Sequence, residues 1–360
     1  MDDENIAVKQ KMYACISRAY EWLFGLAIYS GNWTEVRSTA LVGLCFSLRE
    51  PKGSQWLVCI KKWLLEQQVQ MGTDKASWGD ELWDTSMALI SLNRIGFSQK
   101  DPQFQKTLNW IESLYDVNGR HNWHDEPWET SWAALAILET EHSHELSHIA
   151  YDAAKWLLSL QDNEGKIVSP HYTAYFIMIC DKLNIKQEDK EIFNIASNKA
   201  TEYLLKNISD KNLWTGEPWS NGQILWILSY TKKFPCSDNA LLLRVVNWFI
   251  DKQERDGNWK DVEDTASSIL GLGYLLRELE SFRISSDTEL DALIFSTLRR
   301  NNETPVLCIN RKLIETNEDG TTSINLSPRL IKFMTIAFGI LSGATVGFFY
   351  WDLIKGLLGW

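Results

Sequence analysis

The sequence predicts an all-α protein: an (α/α)6 toroid of six helical hairpins, followed by one C-terminal transmembrane helix. Three observations lead there. An aromatic residue followed by an aliphatic or aromatic one recurs six times at nearly constant spacing. A second mark and a helix start follow each pair in the same register. A long uncharged stretch lies near the end of the chain.

The recurring pairs are Trp22-Leu23, Trp63-Leu64, Trp110-Ile111, Trp156-Leu157, Tyr203-Leu204 and Trp248-Phe249, spaced by 41 to 47 residues, a period typical of stacked helical pairs. Each sits in an amphipathic segment such as TLNWIESLY or LLRVVNWFIDKQ, which keeps one wet face. The second mark is Trp33, Trp78, Trp123, Trp214 and Trp259, with Ile167 in the fourth unit. Then come Ser38-Thr39, Asp84-Thr85, Glu129-Thr130, Tyr172-Thr173, Ser220-Asn221 and Asp264-Thr265, each leading into a run such as TSWAALAIL. Ser and Asp there read as N-caps that satisfy orphaned amide groups. These second segments are apolar nearly all round, as in a helix buried on every side.

Six amphipathic outer helices alternating with six buried inner ones close into a double ring, because each hairpin buries its face only against its neighbours. An open solenoid is the alternative. The predicted domains are the toroid at residues 1–281, a connecting segment at 282–328, and a membrane helix with a short tail at 329–360. The connecting segment holds the helix-like DTELDALIFSTLRR and an Asp319-Gly320 pair that suits a small hairpin or a linker.

Composition narrows the function. A chain of 360 residues with 45% hydrophobic and 23% charged residues supports a sizeable core. A net charge of -11 argues against nucleic acid, which requires clustered Lys and Arg. The six cysteines are scattered without a CxxC pair, so no disulfide framework is expected. The start, MDDENIAVKQKMY, lacks the basic and apolar regions of a signal peptide, which predicts a reducing, cytosolic setting for the main body. Eighteen tryptophans demand packing or stacking roles.

The last unit reads QERDGNWKDVEDTA, and Gln253, Gly257 and Trp259 fit the QW repeat. Gln161 with Gly165 and Gln68 with Gly72 keep it in part. In these residues the chain resembles the terpenoid cyclase and protein prenyltransferase superfamily, in particular squalene-hopene-type class II cyclases. The resemblance implies a helical toroid. It also implies an acid of a DxDD motif that protonates an alkene or epoxide inside an aromatic cavity. The matching stretch here is Asp261, Val262, Glu263, Asp264. Glu263 takes the place of the middle acid, and burial lets a Glu hold its proton. Asp261 and Asp264 flank it, although Asp264 also falls in the capping register of the other units. A prenyltransferase would need a zinc site of Asp, Cys and His. No Cys falls beside an acid at the start of an inner helix, so neither metal nor cofactor is expected.

All six inner helices start from the same kind of loop, so their N-termini gather at one mouth of the ring. Acids and aromatics crowd those loops, which suits an apolar, cationic or isoprenoid ligand better than a polyphosphate. The series Trp33, Trp78, Trp123, Trp214 and Trp259 reads as the structural set. Trp83, Trp128 and Trp219 recur directly before the helix start and, with Arg37, Asp84, Glu129, His171, Tyr172 and Glu217, are the predicted cavity lining.

Residues 333–350, FMTIAFGILSGATVGFFY, carry no charge and match a bilayer core in length. Gly339, Gly343 and Gly347 form GxxxGxxxG, a spacing that lets helix backbones approach closely in lipid and predicts a homo-oligomer. Arg329 and Lys332 precede the span and only Lys355 follows it, which orients the toroid to the cytoplasm. The leading expectation is therefore a membrane effector or receptor: a toroid that binds a ligand or partner and acts on the bilayer through its tail. The alternative is a membrane-tethered cyclase of an isoprenoid with Glu263 as acid. A glycan-processing ring is a minor third reading.

Overall fold

The computed structural model describes residues 2–281, apart from 28–31, 34, 98–99, 117–119, 141–145 and 185–186, together with the short strands at 314–316 and 322–324. Two compact units result, Met1–Ile284 and Ser285–Trp360. In the second, β3 (Ile314–Thr316) pairs antiparallel with β4 (Thr322–Ile324); the Asp319-Gly320 pair lies outside the described residues. No described helix is long and apolar enough to cross a membrane. The predicted membrane helix at 329–360, with Gly339, Gly343 and Gly347, lies outside the described residues.

The first unit is a double ring. Its outer helices are α1 (Asp2–Leu26), α3 (Gln55–Glu66), α5 (Pro102–Ser113), α7 (Ser147–Ser159), α9 (Gln187–Lys206) and α11 (Asn239–Lys252). The inner helices are α2 (Val36–Arg49), α4 (Leu82–Arg94), α6 (Pro127–Thr140), α8 (Pro170–Lys182), α10 (Pro218–Tyr230) and α12 (Val262–Ser281). A short hairpin of β1 (Val69–Met71) and β2 (Lys75–Ser77) joins α3 to α4. Each inner helix packs on the next, and α12 returns to pack on α2. The ring is therefore closed, and the open solenoid is excluded. Outer helices bury one stripe: in α11 it is Leu242, Val245, Val246 and Phe249, the i, i+3, i+4, i+7 pattern of an amphipathic helix. Inner α10 is buried without interruption from Ser220 to Ser229.

One clamp recurs in every unit. The backbone N–H of Trp33, Trp78, Trp123, Ile167, Trp214 and Trp259 donates to the side-chain oxygen of Thr39, Thr85, Thr130, Thr173, Asn221 and Thr265, over 2.9 to 3.3 Å. The indole N–H of each of the five tryptophans donates to the carbonyl of Leu23, Leu64, Ile111, Leu204 or Phe249 at the end of the preceding outer helix. Those carbonyls lie in the last turn, where partners from within the helix run out. Trp33, Trp78, Trp123 and Trp259 are at most 2% exposed. Each indole thus fills the gap between two helices and ties both to its own loop.

The residues read as N-caps sit inside the helices. Ser38, Asp84, Glu129, Tyr172, Ser220 and Asp264 are all third helical residues, and the clamping Thr or Asn is the fourth. Glu35, Glu81, Ser169 and Glu217 hold the extended N-cap backbone without a side-chain cap bond. Pro127, Pro170 and Pro218 open three helices, at the position where a missing N–H costs least.

Closure joins the chain's distant parts. Gln253 Nε2 donates to the Cys15 carbonyl at 2.9 Å and to the Gly257 carbonyl at 2.7 Å, and Arg18 donates to Gln253 Oε1 at 2.5 Å. Gly257 has φ +98°, and a Cβ there would stand 2.6 Å from the Arg18 carbonyl oxygen. Gln161 and Gly165 repeat the arrangement against the Ala196 and Lys199 carbonyls. Helices α10 and α12 approach most closely, for a Cβ on Gly222 would meet the Ser267 carbonyl at 2.4 Å.

Thr85→Val keeps the shape of the side chain but strands the buried Trp78 amide without an acceptor. It is expected to lower the unfolding free energy of the toroid by about 1–3 kcal/mol. Urea unfolding followed by tryptophan fluorescence checks this; an unchanged midpoint would remove the clamp from the account.

Candidate functional site

The register of the clamp places one residue per unit at the second position of each inner helix: Arg37, Trp83, Trp128, His171, Trp219 and Glu263. They gather at the N-terminal mouth in a nearly continuous circuit. The Arg37 guanidinium lies over the Trp83 ring at 4.3 Å. Trp83 meets Trp128 edge-on at 4.6 Å between centroids, and His171 contacts both Trp128 and Trp219 at 5.6 Å. Glu263 returns to Arg37 through a 2.6 Å ion pair and accepts from the Ser38 hydroxyl at 3.2 Å. Trp83 also reaches Trp219 at 6.2 Å, although α4 and α10 face each other across the ring. The aromatic rings thus span the mouth.

The circuit has an acidic side. Asp84 lies 3.8 Å from Arg37, and Glu35 lies 3.6 Å from it. Burial pushes the Asp84 carboxyl up to about 6 in spite of Arg37. The guanidinium is itself raised, because its hydrogen bond to Glu263 and the charges of Glu263, Asp84 and Glu35 outweigh its desolvation. Asp264, 4% exposed, accepts from the Trp219 backbone N–H at 2.6 Å, and its own N–H donates to Asp261 Oδ1 at 2.9 Å. Burial raises its carboxyl to about 6; the Trp219 N–H pulls the other way and Asp261 adds to the rise. The close approach of α10 and α12 at Gly222 sets the contact with Trp219. His171, half-buried among rings without a charged partner, is pushed down to about 4 by desolvation alone, so its imidazole is neutral near pH 7.

A further layer lies deeper. Trp132 meets Tyr175 at 5.0 Å, and the Tyr175 hydroxyl donates to Gln223 Oε1. These residues, one turn beyond Trp128, His171 and Trp219, were not among the sequence candidates. The i+4 step from the mouth residues was the available signal. Buried indole N–H groups of Trp83, Trp132 and Trp219 have no acceptor among the described residues, unlike the clamp tryptophans.

The remaining predicted residues divide. Tyr172 contacts His171 and Trp128 at 4.2 and 6.0 Å, at the edge of the cluster. Glu129 instead pairs outward with His124 at 2.5 Å. Glu217 is an exposed helix N-cap and does not join the cluster. Asp261 is exposed and serves Asp264. The predicted middle acid, Glu263, is held by Arg37 and Ser38, so the buried carboxyl beside the tryptophans is that of Asp264. No group of three potential metal ligands forms among the described residues.

No protein-family model matches the chain, and a comparison with curated proteins finds no match. Among solved structures the chain is similar to the apo form of the type II terpene cyclase MstE from Scytonema. The TM-score is 0.53 at 12% identity, over 74% of this chain and 98% of that one. At that identity the likeness establishes a terpenoid-cyclase-like helical toroid, and fold alone does not carry chemistry.

Stability should carry the signature of the desolvated histidine. Folded His171 takes a proton only near pH 4, whereas an unfolded histidine does so at about 6.5. Between those values the unfolded chain binds more protons, so the contribution is complete above about pH 6.5 and is lost as pH falls toward 4. Asp84 and Asp264 run the other way, favouring the fold below about pH 4 and losing that as pH rises through about 6. Relative to His171→Asn, wild-type stability should be constant above about pH 7 and decline on acidification. Urea titrations across this range test it, and a pH-independent difference would contradict a neutral, desolvated His171.

Proposed function

We propose that the chain is a cyclase of the terpenoid type, acting on an isoprenoid by proton-initiated chemistry at the aromatic mouth, with Asp264 as the acid. The observation that carries this reading is the Asp264 carboxyl, buried against Trp219 and raised to about 6, in the stretch that aligns with the class II acid motif. Likeness to MstE, a type II terpene cyclase, supports the same class and favours the enzyme over the effector reading.

In this mechanism the O–H bond of the Asp264 carboxyl breaks as a C–H bond forms on the alkene. The electron pair of the double bond makes the new bond and leaves a carbocation on the adjacent carbon. Faces of Trp83, Trp128 and Trp219 stabilise that cation through their quadrupoles, and neutral His171 adds no positive charge beside it. Ring closure moves the cation along the substrate until a neighbouring carbon gives a proton to water. Arg37 holds Glu263 and keeps the second acid from competing for the site. Trp83 and Trp219 touch across the axis, so the substrate is admitted when they part. No cofactor takes part. The uncharged segment at 333–350 belongs to the proposal as a tether, which suits a lipid-soluble substrate delivered from the bilayer.

Full-length protein in detergent, offered a panel of linear isoprenoids, is expected to form cyclic product. Asp264→Asn should lower turnover by at least about 100-fold, and wild-type kcat/KM should fall about tenfold per pH unit above about 6. Glu263→Gln should retain more activity than Asp264→Asn. The reverse order moves the acid to Glu263, and no product from wild type across the panel sinks the reading.

A further inference from the structure

The far end of the ring repeats the logic of the mouth with different chemistry. One residue per unit stands at the thirteenth position of each inner helix: Leu48, Arg94, Glu139, Lys182, Tyr230 and Tyr274. Five of them line an open cavity of about 400 Å³, together with Ser47, Lys52, Asn93 and Arg277. Its lining holds three cations and one acid. That acid, Glu139, is 6% exposed in its side chain and already bound by Arg94 at 2.6 Å and Lys182 at 2.5 Å. On a chain with a net charge of -11, a concave surface with excess positive charge is the exception.

Part of this charge complements the helix C-termini that converge here. Arg277 does so by donating to the Leu48 carbonyl. Helix dipoles do not explain the rest. Lys52 lies beyond the end of α2 and makes no hydrogen bond or ion pair among the described residues. Two tyrosines are also set among the cations. Lys182 donates to the Tyr230 hydroxyl at 2.9 Å and lies over its ring, Arg277 lies over the Tyr274 ring, and the two rings meet at 5.5 Å. Behind the cavity wall Trp226 stacks on Tyr274 at 6.1 Å. Cations in excess and two tyrosine rings around a hollow call for a ligand with anionic acceptor oxygens and a planar body.

We propose that this end of the ring binds a small phosphate monoester carrying a ring that packs on Tyr230 and Tyr274, with Lys52, Arg94 and Arg277 on the phosphoryl oxygens. The site lies at the opposite end of the inner helices from Asp264. It stands whether or not the mouth is catalytic.

Calorimetry on the full chain in detergent and phosphate-free buffer, with phenyl phosphate as probe and benzyl alcohol as the uncharged control, tests it. Phenyl phosphate should bind and benzyl alcohol should not. Lys52→Gln, an exposed change with no partner to lose, should weaken binding about threefold, and Lys52→Gln with Arg277→Gln by at least about tenfold. Increasing salt should weaken wild-type binding. Glu263→Gln at the other mouth should leave the affinity unchanged. Absence of heat with phenyl phosphate, or equal affinity in the folded double variant, overturns the proposal.

Discussion

The hydrogen-bonded clamp between loop, outer helix and inner helix is the constraint on which the rest of the molecule depends. Its two halves do different work. The indole N–H fixes the loop to the end of the outer helix, and the Thr or Asn oxygen fixes the same loop to the fourth residue of the inner helix. With both made in each tryptophan unit, the rotation of every inner helix about its own axis is determined. The second helical residue then faces the mouth in all six units, and the thirteenth gathers at the far end. In the fourth unit Ile167 keeps the backbone half of the clamp, which is the half that sets this register.

That register converts a repeat into two distinct ring ends. At one, the six positions hold Arg, Trp, Trp, His, Trp and Glu, so rings touch across the axis and the charges collect on one side, at α2 and α12. At the other they hold Leu, Arg, Glu, Lys, Tyr and Tyr, and a cavity remains. The structural repeat keeps its Trp and Thr in all units but two, where Ile167 and Asn221 stand in, whereas the facing positions vary. The chemical difference between the two ends is therefore concentrated where the units differ.

Much of this was legible in the sequence, for physical reasons. The clamp requires the same residue types at the same spacing, so periodicity exposed the hairpins, the two classes of helix and the division between Trp33-type and Trp83-type tryptophans. Arg37, Trp83, Trp128, His171 and Trp219 come together because they share one helical register, and Asp84 joins them from the next position of α4. Capping was misread, because Ser38 and Asp84 look like caps while the Pro at the first helical position in three units marks an earlier start. The ion pair of Glu263 is not legible in this way: its partners, Arg37 and Ser38, are about 225 residues away in sequence, and no local pattern reveals a contact that exists only when the ring closes. The cavity at the far end was missed for the same reason. Its residues are single charges at the ends of apolar runs, which individually read as ordinary helix termini. The glycine spacing at 339–347 remains a property of sequence alone.

The central claim is that a carboxyl at the mouth delivers a proton that becomes part of the product. Turnover of a linear isoprenoid by the full-length chain in deuterium oxide tests it directly by mass spectrometry. The account predicts one non-exchangeable deuterium per molecule of cyclic product, on the carbon where protonation begins. Cyclic product without deuterium would contradict it.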